Sequence, residues 1–265
     1  MRGKRARRLH GFALGALVAF TATTASAHGL RVAVILDDLG EQYSAGERAL
    51  QLDDAVALAF LPGSRHAAAQ SARAAAQGHE ILVHMPMEPQ AQARAHPQAL
   101  RTGSDTALIA RRLRQAVTEL PHASGINNHQ GSRFTADTAS VNAFMTALRA
   151  QQGLYFLDSR TTAASRAFDG ALAHGIAAGK RDVFVDHERG ADAVSAGWQR
   201  LLRTVRRQGS AIAIVHPYPE SLELLERELP RLAAKGIALV PPSRLLQQPD
   251  ALSARATSST LPALH

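Results

Sequence analysis

The chain has 265 residues, of which 46% are hydrophobic, and its formal net charge is +8. This length allows one large domain or two small ones, and the apolar content excludes a wholly disordered chain. Cysteine is absent, so disulfides are excluded and any metal site must use histidine, aspartate or glutamate.

Residues 1–27 have the pattern of a Sec-type signal peptide. A basic start precedes an apolar run from about Phe12 to Ala22, and residues 25–27 form a small-x-small cleavage sequence. The apolar run is shorter than the roughly 20 residues that a spanning helix needs, which favours cleavage over retention as a membrane anchor. We therefore expect a periplasmic or secreted protein with no membrane span after cleavage.

Removal of this segment also changes the charge argument. It carries five lysine or arginine residues and no acidic one, so the remaining net charge is +3 rather than +8. The high isoelectric point is partly a targeting feature, and the remainder has no basic stripe with interleaved aromatic residues. We expect no nucleic-acid partner.

Short β-rich runs alternate with helical segments from residue 31 onward. The predicted strands are 31–37, 55–61, 80–85, 123–129, 154–158, 181–186, 210–216 and 237–241. The predicted helices are 64–77, 104–119, 137–151, 190–208 and 220–234, with Ser64, Ser104 and Asp137 where N-caps are expected. Near-continuous apolar strands alternating with helices are typical of a parallel sheet that is covered on both faces.

Eight predicted strands favour an α/β fold of one (β/α) barrel, distorted or short of a strand, over residues 29–247. A doubly wound open sheet is the alternative. Residues 248–265 are low in large apolar residues and are predicted to be a disordered tail.

Most residues capable of chemistry fall at the carboxyl end of a predicted strand. They are Asp37 and Asp38, His84, the Asn127-Asn128-His129 triplet, Asp158, Asp186 and His216. In a parallel barrel these ends converge on one rim, where such enzymes build their sites.

Three of these residues have the composition of a metal site. Asp38, His84 and His129 offer one carboxylate and two imidazoles, and three protein ligands with an open fourth position are typical of catalytic zinc. Asp37 could then accept a proton from water, and His216 could protonate a leaving amine. Simpler interpretations stay open, in which the aspartate pair caps a helix and the histidines are structural.

Four motifs at these residues resemble the polysaccharide deacetylase family, specifically its divergent branch of bacterial envelope proteins. They are "VILDDLG" (34–40), "GHEILVHMPMEP" (78–89), "GINNHQGS" (125–132) and "IVHP" (214–217), and the strands "FLDS" and "RDVFVD" are similar too. The resemblance covers about residues 31–245. It implies a deacetylase-type barrel with a divalent metal, most simply Zn²⁺.

The resemblance also implies residue roles. Asp37 takes the position of the base, Asp38 and His84 those of metal ligands, and His216 that of the acid beside the acetyl group. The family's second motif histidine is replaced by Glu88, so either Glu88 or His129 supplies the third ligand; the stretch around His129 favours the latter. Further candidate site residues are Asn128, Asp158 and Asp186.

The resulting hypothesis is a metal-dependent hydrolase of carbon–nitrogen bonds that removes N-acetyl groups from an envelope glycan or a peptidoglycan-like substrate. The missing motif histidine favours an alternative, a catalytically inactive barrel that binds glycan or an envelope partner. A third alternative is another metal-assisted hydrolase, an amidase or a phosphoesterase, that uses Arg133 and Arg160 near the same rim.

Overall fold

A computed structural model describes residues 29–90 and 94–249. The predicted signal peptide, and residues 250–265 of the predicted tail, lie outside the described residues. Within the described ranges, no helix combines the length and the apolar character needed to cross a membrane.

The described chain alternates strands with helices almost throughout. The strands are β1 (Leu30–Leu39), β2 (Ala57–Phe60), β3 (Ile81–Met87), β4 (Ala123–Gln130), β5 (Tyr155–Asp158), β6 (Ala178–Lys180), β7 (Val183–Phe184), β8 (Ser210–Val215) and β9 (Ile237–Leu239). The helices are α1 (Tyr43–Ala49), α2 (Ala67–Ala76), α3 (Thr106–Glu119), α4 (Thr138–Arg149), α5 (Ala167–Ala173), α6 (Ala191–Gln208) and α7 (Pro219–Glu228).

The strands form one parallel sheet in the order β6-β5-β4-β3-β2-β1-β8-β7. Because β8 fills one edge of β1 over residues 31–36, β9 shares the other edge with β2 and pairs with residues 30–32. Among the described residues no ladder joins β6 to β7, so the barrel is open at that seam. The predicted α/β barrel is confirmed in this open form, a half-barrel with alternating helices.

The inner face of the sheet changes from apolar to polar toward the carboxyl ends of the strands. On β1, Ala33 and Ile35 belong to a small interior cluster, whereas Val32 and Val34 belong to the large core under the helices. Since side chains alternate along a strand, the next inward position is residue 37. The same alternation on the other strands turns a polar residue inward just beyond the interior cluster. These inward polar residues are Asp37, His84, Asn127, Ser159 and His216.

The sequence located the strands better than the helix starts. Each of the eight predicted strands overlaps an observed one, but β6, α1 and α5 were not predicted. Asp137 does cap α4 by accepting a hydrogen bond from the Ser140 backbone. The other two predicted caps are wrong: Asp105 rather than Ser104 caps α3, and Ser64 instead donates to Glu41 while α2 begins at Ala67.

Candidate metal centre

A β-bulge in β1 turns both members of the acidic pair toward the barrel mouth. The register with β2 is regular through Leu36 and resumes at Leu39, so Asp37 and Asp38 stand opposite a single residue of β2. Asp38 has a φ of 57°, in the left-handed region that aspartate tolerates better than most residues. A regular strand would send these two carboxylates to opposite faces. The bulge instead lets both approach one imidazole, and the pair does not cap α1, whose N-cap is Gln42.

The side chains of Asp38, His84 and His129 meet at one point. Asp38 Oδ1 lies 3.0 Å from His84 Nε2 and 2.8 Å from His129 Nδ1, and the two nitrogens are 3.2 Å apart. Tetrahedral zinc with bonds of about 2.0–2.1 Å places neighbouring ligand atoms roughly 3.3 Å apart. The three donor atoms therefore nearly match one face of such a tetrahedron, and they form the cluster suited to a metal ion among the described residues.

Asn127 sets the orientation of the buried imidazole of His84. Its Nδ2 donates to Asp37 Oδ1 at 2.7 Å, and its Oδ1 lies 2.8 Å from His84 Nδ1. Because a carboxylate oxygen can only accept, the amide nitrogen must face Asp37, and His84 Nδ1 must then be the donor to Oδ1. In neutral His84 this leaves a lone pair on Nε2, the atom that points at Asp38. The imidazole is thus held in the form that a metal needs.

His216 occupies the other side of the acidic pair. Its Nε2 lies 3.9 Å from Asp38 Oδ2, while Nδ1 faces Asp186 Oδ1 at 3.0 Å. Asp186 is itself fixed, because Oδ2 accepts from the His216 backbone and from Ser221 Oγ, each at 2.7 Å. With Nδ1 bound to a carboxylate, Nε2 is the nitrogen of His216 available to exchange a proton in the site.

The acidic pair makes the site favourable for positive charge. Burial opposes ionisation of Asp38, but hydrogen bonds with His129 and His84 hold the pKa of this carboxyl well below its usual range. Burial also opposes the charged form of His84, yet Asp37 and Asp38 outweigh it and raise the pKa of the imidazole to about 9. A metal that binds His84 must displace this proton. Burial raises the pKa of Asp37, as suits a base.

The site opens into a cavity of about 190 Å³. Asp37 and His84 are buried at its floor, whereas Asp38 and His129 keep partial exposure. A small ligand can thus reach the open side of the cluster. The remaining walls combine the apolar side chains of Phe184 and Ile214 with polar groups from the end of β4 and from the loops after β5 and β6.

The other candidate residues take supporting or separate places. Glu88 does not join the cluster: its carboxylate accepts from the Thr102 backbone at 2.7 Å and lies 3.5 Å from Arg133. Asp158 is fully buried and binds Ser165 Oγ and the Arg160 backbone. Asn128 lines the cavity, with its side chain bound to backbone groups of Gln130 and Ser159.

Two residues of the site were not singled out from the sequence. Asn127 was named only as part of a triplet, and Arg181, which lines the cavity, was included only as the first residue of a predicted strand. The inward phase of β4 could have indicated Asn127, because Ile126 beside it faces the outer core. Arg181 was predicted to begin the strand 181–186, at the end away from the rim, whereas in the structure it follows the short strand β6, which was not predicted.

The fold and the candidate site together define the class of protein: an open (β/α) barrel whose mouth carries one carboxylate and two imidazoles that could hold a metal ion. The family described as divergent polysaccharide deacetylase matches residues 34–246 of this chain. The chain belongs to that family, as the motifs around Asp37, His84, His129 and His216 indicated.

Individual proteins resemble the chain over most of its length. The uncharacterized protein YibQ of Escherichia coli (strain K12) is 34% identical over 220 residues, which are 83% of this chain and 68% of that protein. An uncharacterized protein of Haemophilus influenzae (strain ATCC 51907 / DSM 11121 / KW20 / Rd) is 32% identical over 202 residues, 76% of this chain and 72% of that one. The crystal structure of an uncharacterized protein from Agrobacterium tumefaciens C58 has a TM-score of 0.78 at 27% identity, covering 83% of this chain and 91% of that one.

Proposed function

We propose that this protein is a metal-dependent deacetylase that removes N-acetyl groups from an envelope glycan or a related carbohydrate. The observation that carries the proposal is the convergence of Asp38, His84 and His129, within 4.8 Å of one another, in the lining of an open cavity. Membership of a family of polysaccharide deacetylases supports the reaction class. The identity of the metal as zinc rests on the donor set, one carboxylate and two imidazoles without thiolate.

The residues around the cluster divide the proton transfers between them. A zinc ion held there would lower the pKa of water and polarise the acetamide carbonyl. Asp37, buried beside the cluster and held by Asn127, accepts the proton of the attacking water. His216, oriented by Asp186, donates a proton from Nε2 to the departing amine. An acid and a base on two sides of one scissile bond are what amide hydrolysis requires.

The test is release of acetate from N-acetylglucosamine oligomers or peptidoglycan fragments by purified protein supplied with zinc, cobalt or nickel. We expect Asp37→Asn to abolish release while the metal stays bound, because it removes the base and leaves the three ligands. Asp38→Ala should lose both the metal and the activity. Asp54→Asn is the matched control, since Asp54 is exposed and lies at the far end of the strands. No release under any metal, with glycan binding unchanged in Asp37→Asn, would instead support the binding-only alternative.

A periplasmic or secreted location is part of the same proposal and rests on the signal-peptide pattern of residues 1–27. Cell fractionation tests it. The protein should be found outside the cytoplasm, with its amino terminus at residue 28. A full-length protein that stays in the cytoplasm would contradict this part alone.

A further inference from the structure

A second set of polar groups lines the cavity, away from the cluster of Asp38, His84 and His129. It includes Arg181, which follows β6 at the open seam of the barrel, and Ser159, which follows the neighbouring strand β5. None of the steps proposed above uses either residue. Both lie beside the apolar wall formed by Phe184 and Ile214.

Backbone contacts fix the guanidinium of Arg181 in place, and it forms no ion pair within 4.0 Å among the described residues. Nε donates to the Ser159 carbonyl and Nη2 to the Arg160 carbonyl, both at 2.6 Å, and the group lies 4.9 Å from the ring centre of Phe184. In the part of the chain that the structure describes, Nη1 has no hydrogen-bond partner, and no carboxylate lies within 4.0 Å of this cation. Burial lowers the pKa of Arg181 and outweighs the opposite effect of the more distant carboxylates of Asp158, Asp37 and Asp182. Such a cation gains stability when an anion joins it.

Ser159 supplies a second unused donor at the same place. The residue is 5% exposed, and its Oγ is buried with no hydrogen-bond partner among the described residues. The backbone groups of Ser159 already have hydrogen-bond partners, because the nitrogen donates to Asn128 Oδ1 at 2.9 Å and the carbonyl accepts from Arg181. A buried hydroxyl without a partner costs free energy, so a ligand that accepts from it would be stabilised.

We propose that Arg181 and Ser159 together recognise a carboxylate on the sugar substrate. The substrate class is then an acidic N-acyl amino sugar, with its amide at the metal cluster and its acid group at the seam. A carboxylate fits because it has two acceptor oxygens, one for Nη1 of Arg181 and one for Oγ of Ser159. A phosphate has more charge and more acceptors than one guanidinium nitrogen and one hydroxyl satisfy. This inference rests on the proposed function for the identity of the rest of the ligand.

The experiment measures binding rather than turnover. Calorimetry on the Asp37→Asn protein, with zinc and without metal, compares N-acetylglucosamine carrying a 3-O-lactyl or a 6-carboxylate group with the methyl ester of each. We expect at least one acid to bind about 10–100-fold more tightly than its ester, the usual range for a charge-assisted hydrogen-bonded pair. The preference should persist without metal, because the two donors lie outside the cluster.

Two variants connect the preference to the residues. Arg181→Gln should bring the acid to the affinity of its ester, whereas Arg111→Gln, the same change on the exposed face of α3, should leave the preference intact. Ser159→Ala should reduce the preference several-fold, and it removes no hydrogen bond of the structure, so it tests the inference even if Arg181→Gln fails to fold.

The failure of this inference differs from the failure of the proposed function. Equal binding of acids and esters by the Asp37→Asn protein without further changes would overturn this inference. A preference for the acid that survives both Arg181→Gln and Ser159→Ala would overturn it too. Lactate alone binding as tightly as the lactyl sugar would also overturn it, because the site would then be a small-anion site. Acetate release from neutral glycans without any acid preference would leave the deacetylase proposal standing without this one.

Discussion

Replacement of Asn127 by leucine should weaken metal binding without touching a ligand. Asn127 is fully buried and joins Asp37 to His84 through hydrogen bonds of 2.7 and 2.8 Å. Leucine has nearly the same shape but neither accepts from His84 Nδ1 nor donates to Asp37. The imidazole then loses the partner that keeps its proton on Nδ1, and Nε2 is no longer reserved for the metal.

The expected magnitude follows from the two broken contacts. Loss of the outer partner of a metal-bound histidine typically costs about 10–100-fold in metal affinity, which is about 1.4–2.8 kcal/mol. Two buried groups left unsatisfied add a loss of unfolding free energy of about 2–6 kcal/mol, at about 1–3 kcal/mol each. Asn127→Asp should separate the two effects, because an aspartate still accepts from His84 but repels Asp37. We expect it to keep zinc affinity within about tenfold of the parent.

The assay is zinc titration against a competing chelator, with circular dichroism to verify that each variant is folded. Asn142→Leu makes the same chemical change on the exposed face of α4 and should leave zinc affinity unaltered. A folded Asn127→Leu protein that binds zinc as tightly as the parent would refute the assignment of His84 as an oriented ligand.

Three further outcomes are expected. Zinc at about 100 times its dissociation constant should raise the unfolding free energy by about 2.7 kcal/mol. Asp38→Ala should abolish this stabilisation in a thermal melt. Equal stabilisation of the unchanged protein and of Asp38→Ala would place the metal elsewhere. Gly40→Ala should lower the unfolding free energy measured in urea by about 1–3 kcal/mol, because φ is 105° and the new Cβ would lie 2.9 Å from the Cβ atoms of Ala67 and Ser64. Gly103→Ala is also at positive φ, but its new Cβ would meet nothing within 4 Å, so it should cost less. The reverse order would contradict the steric argument. Asp137→Ala should lower the unfolding free energy by about 1 kcal/mol through loss of the α4 cap, whereas Ser104→Ala should lower it by almost nothing. Similar urea midpoints for the two variants would contradict the capping assignment.

The sequence by itself determined a covered parallel α/β sheet and the edge on which the site lies, and it left a doubly wound sheet as the alternative to a barrel. Apolar strands alternating with helices leave a covered parallel sheet as the way to bury both faces, and parallel strands bring their carboxyl ends to one edge. The polar residues at those ends, including Asp37, His84, His129 and His216, were therefore recognisable as neighbours. Composition also limited any metal site to oxygen and imidazole ligands, because the chain has no cysteine.

Only the tertiary structure decided how these neighbours combine. Period-two alternation sends adjacent residues to opposite faces, so the sequence could not indicate that both Asp37 and Asp38 point inward; that depends on the bulge in the register with β2. The partnership of Asn127 with His84 likewise depends on the register of β3 with β4, in which the two residues are direct partners. The resemblance left Glu88 and His129 as possible third ligands and favoured His129, and the fold separates them by binding Glu88 to the Thr102 backbone. Spacing along a chain sets which face a side chain takes within its own strand, whereas contacts across strands depend on registers that several segments fix together.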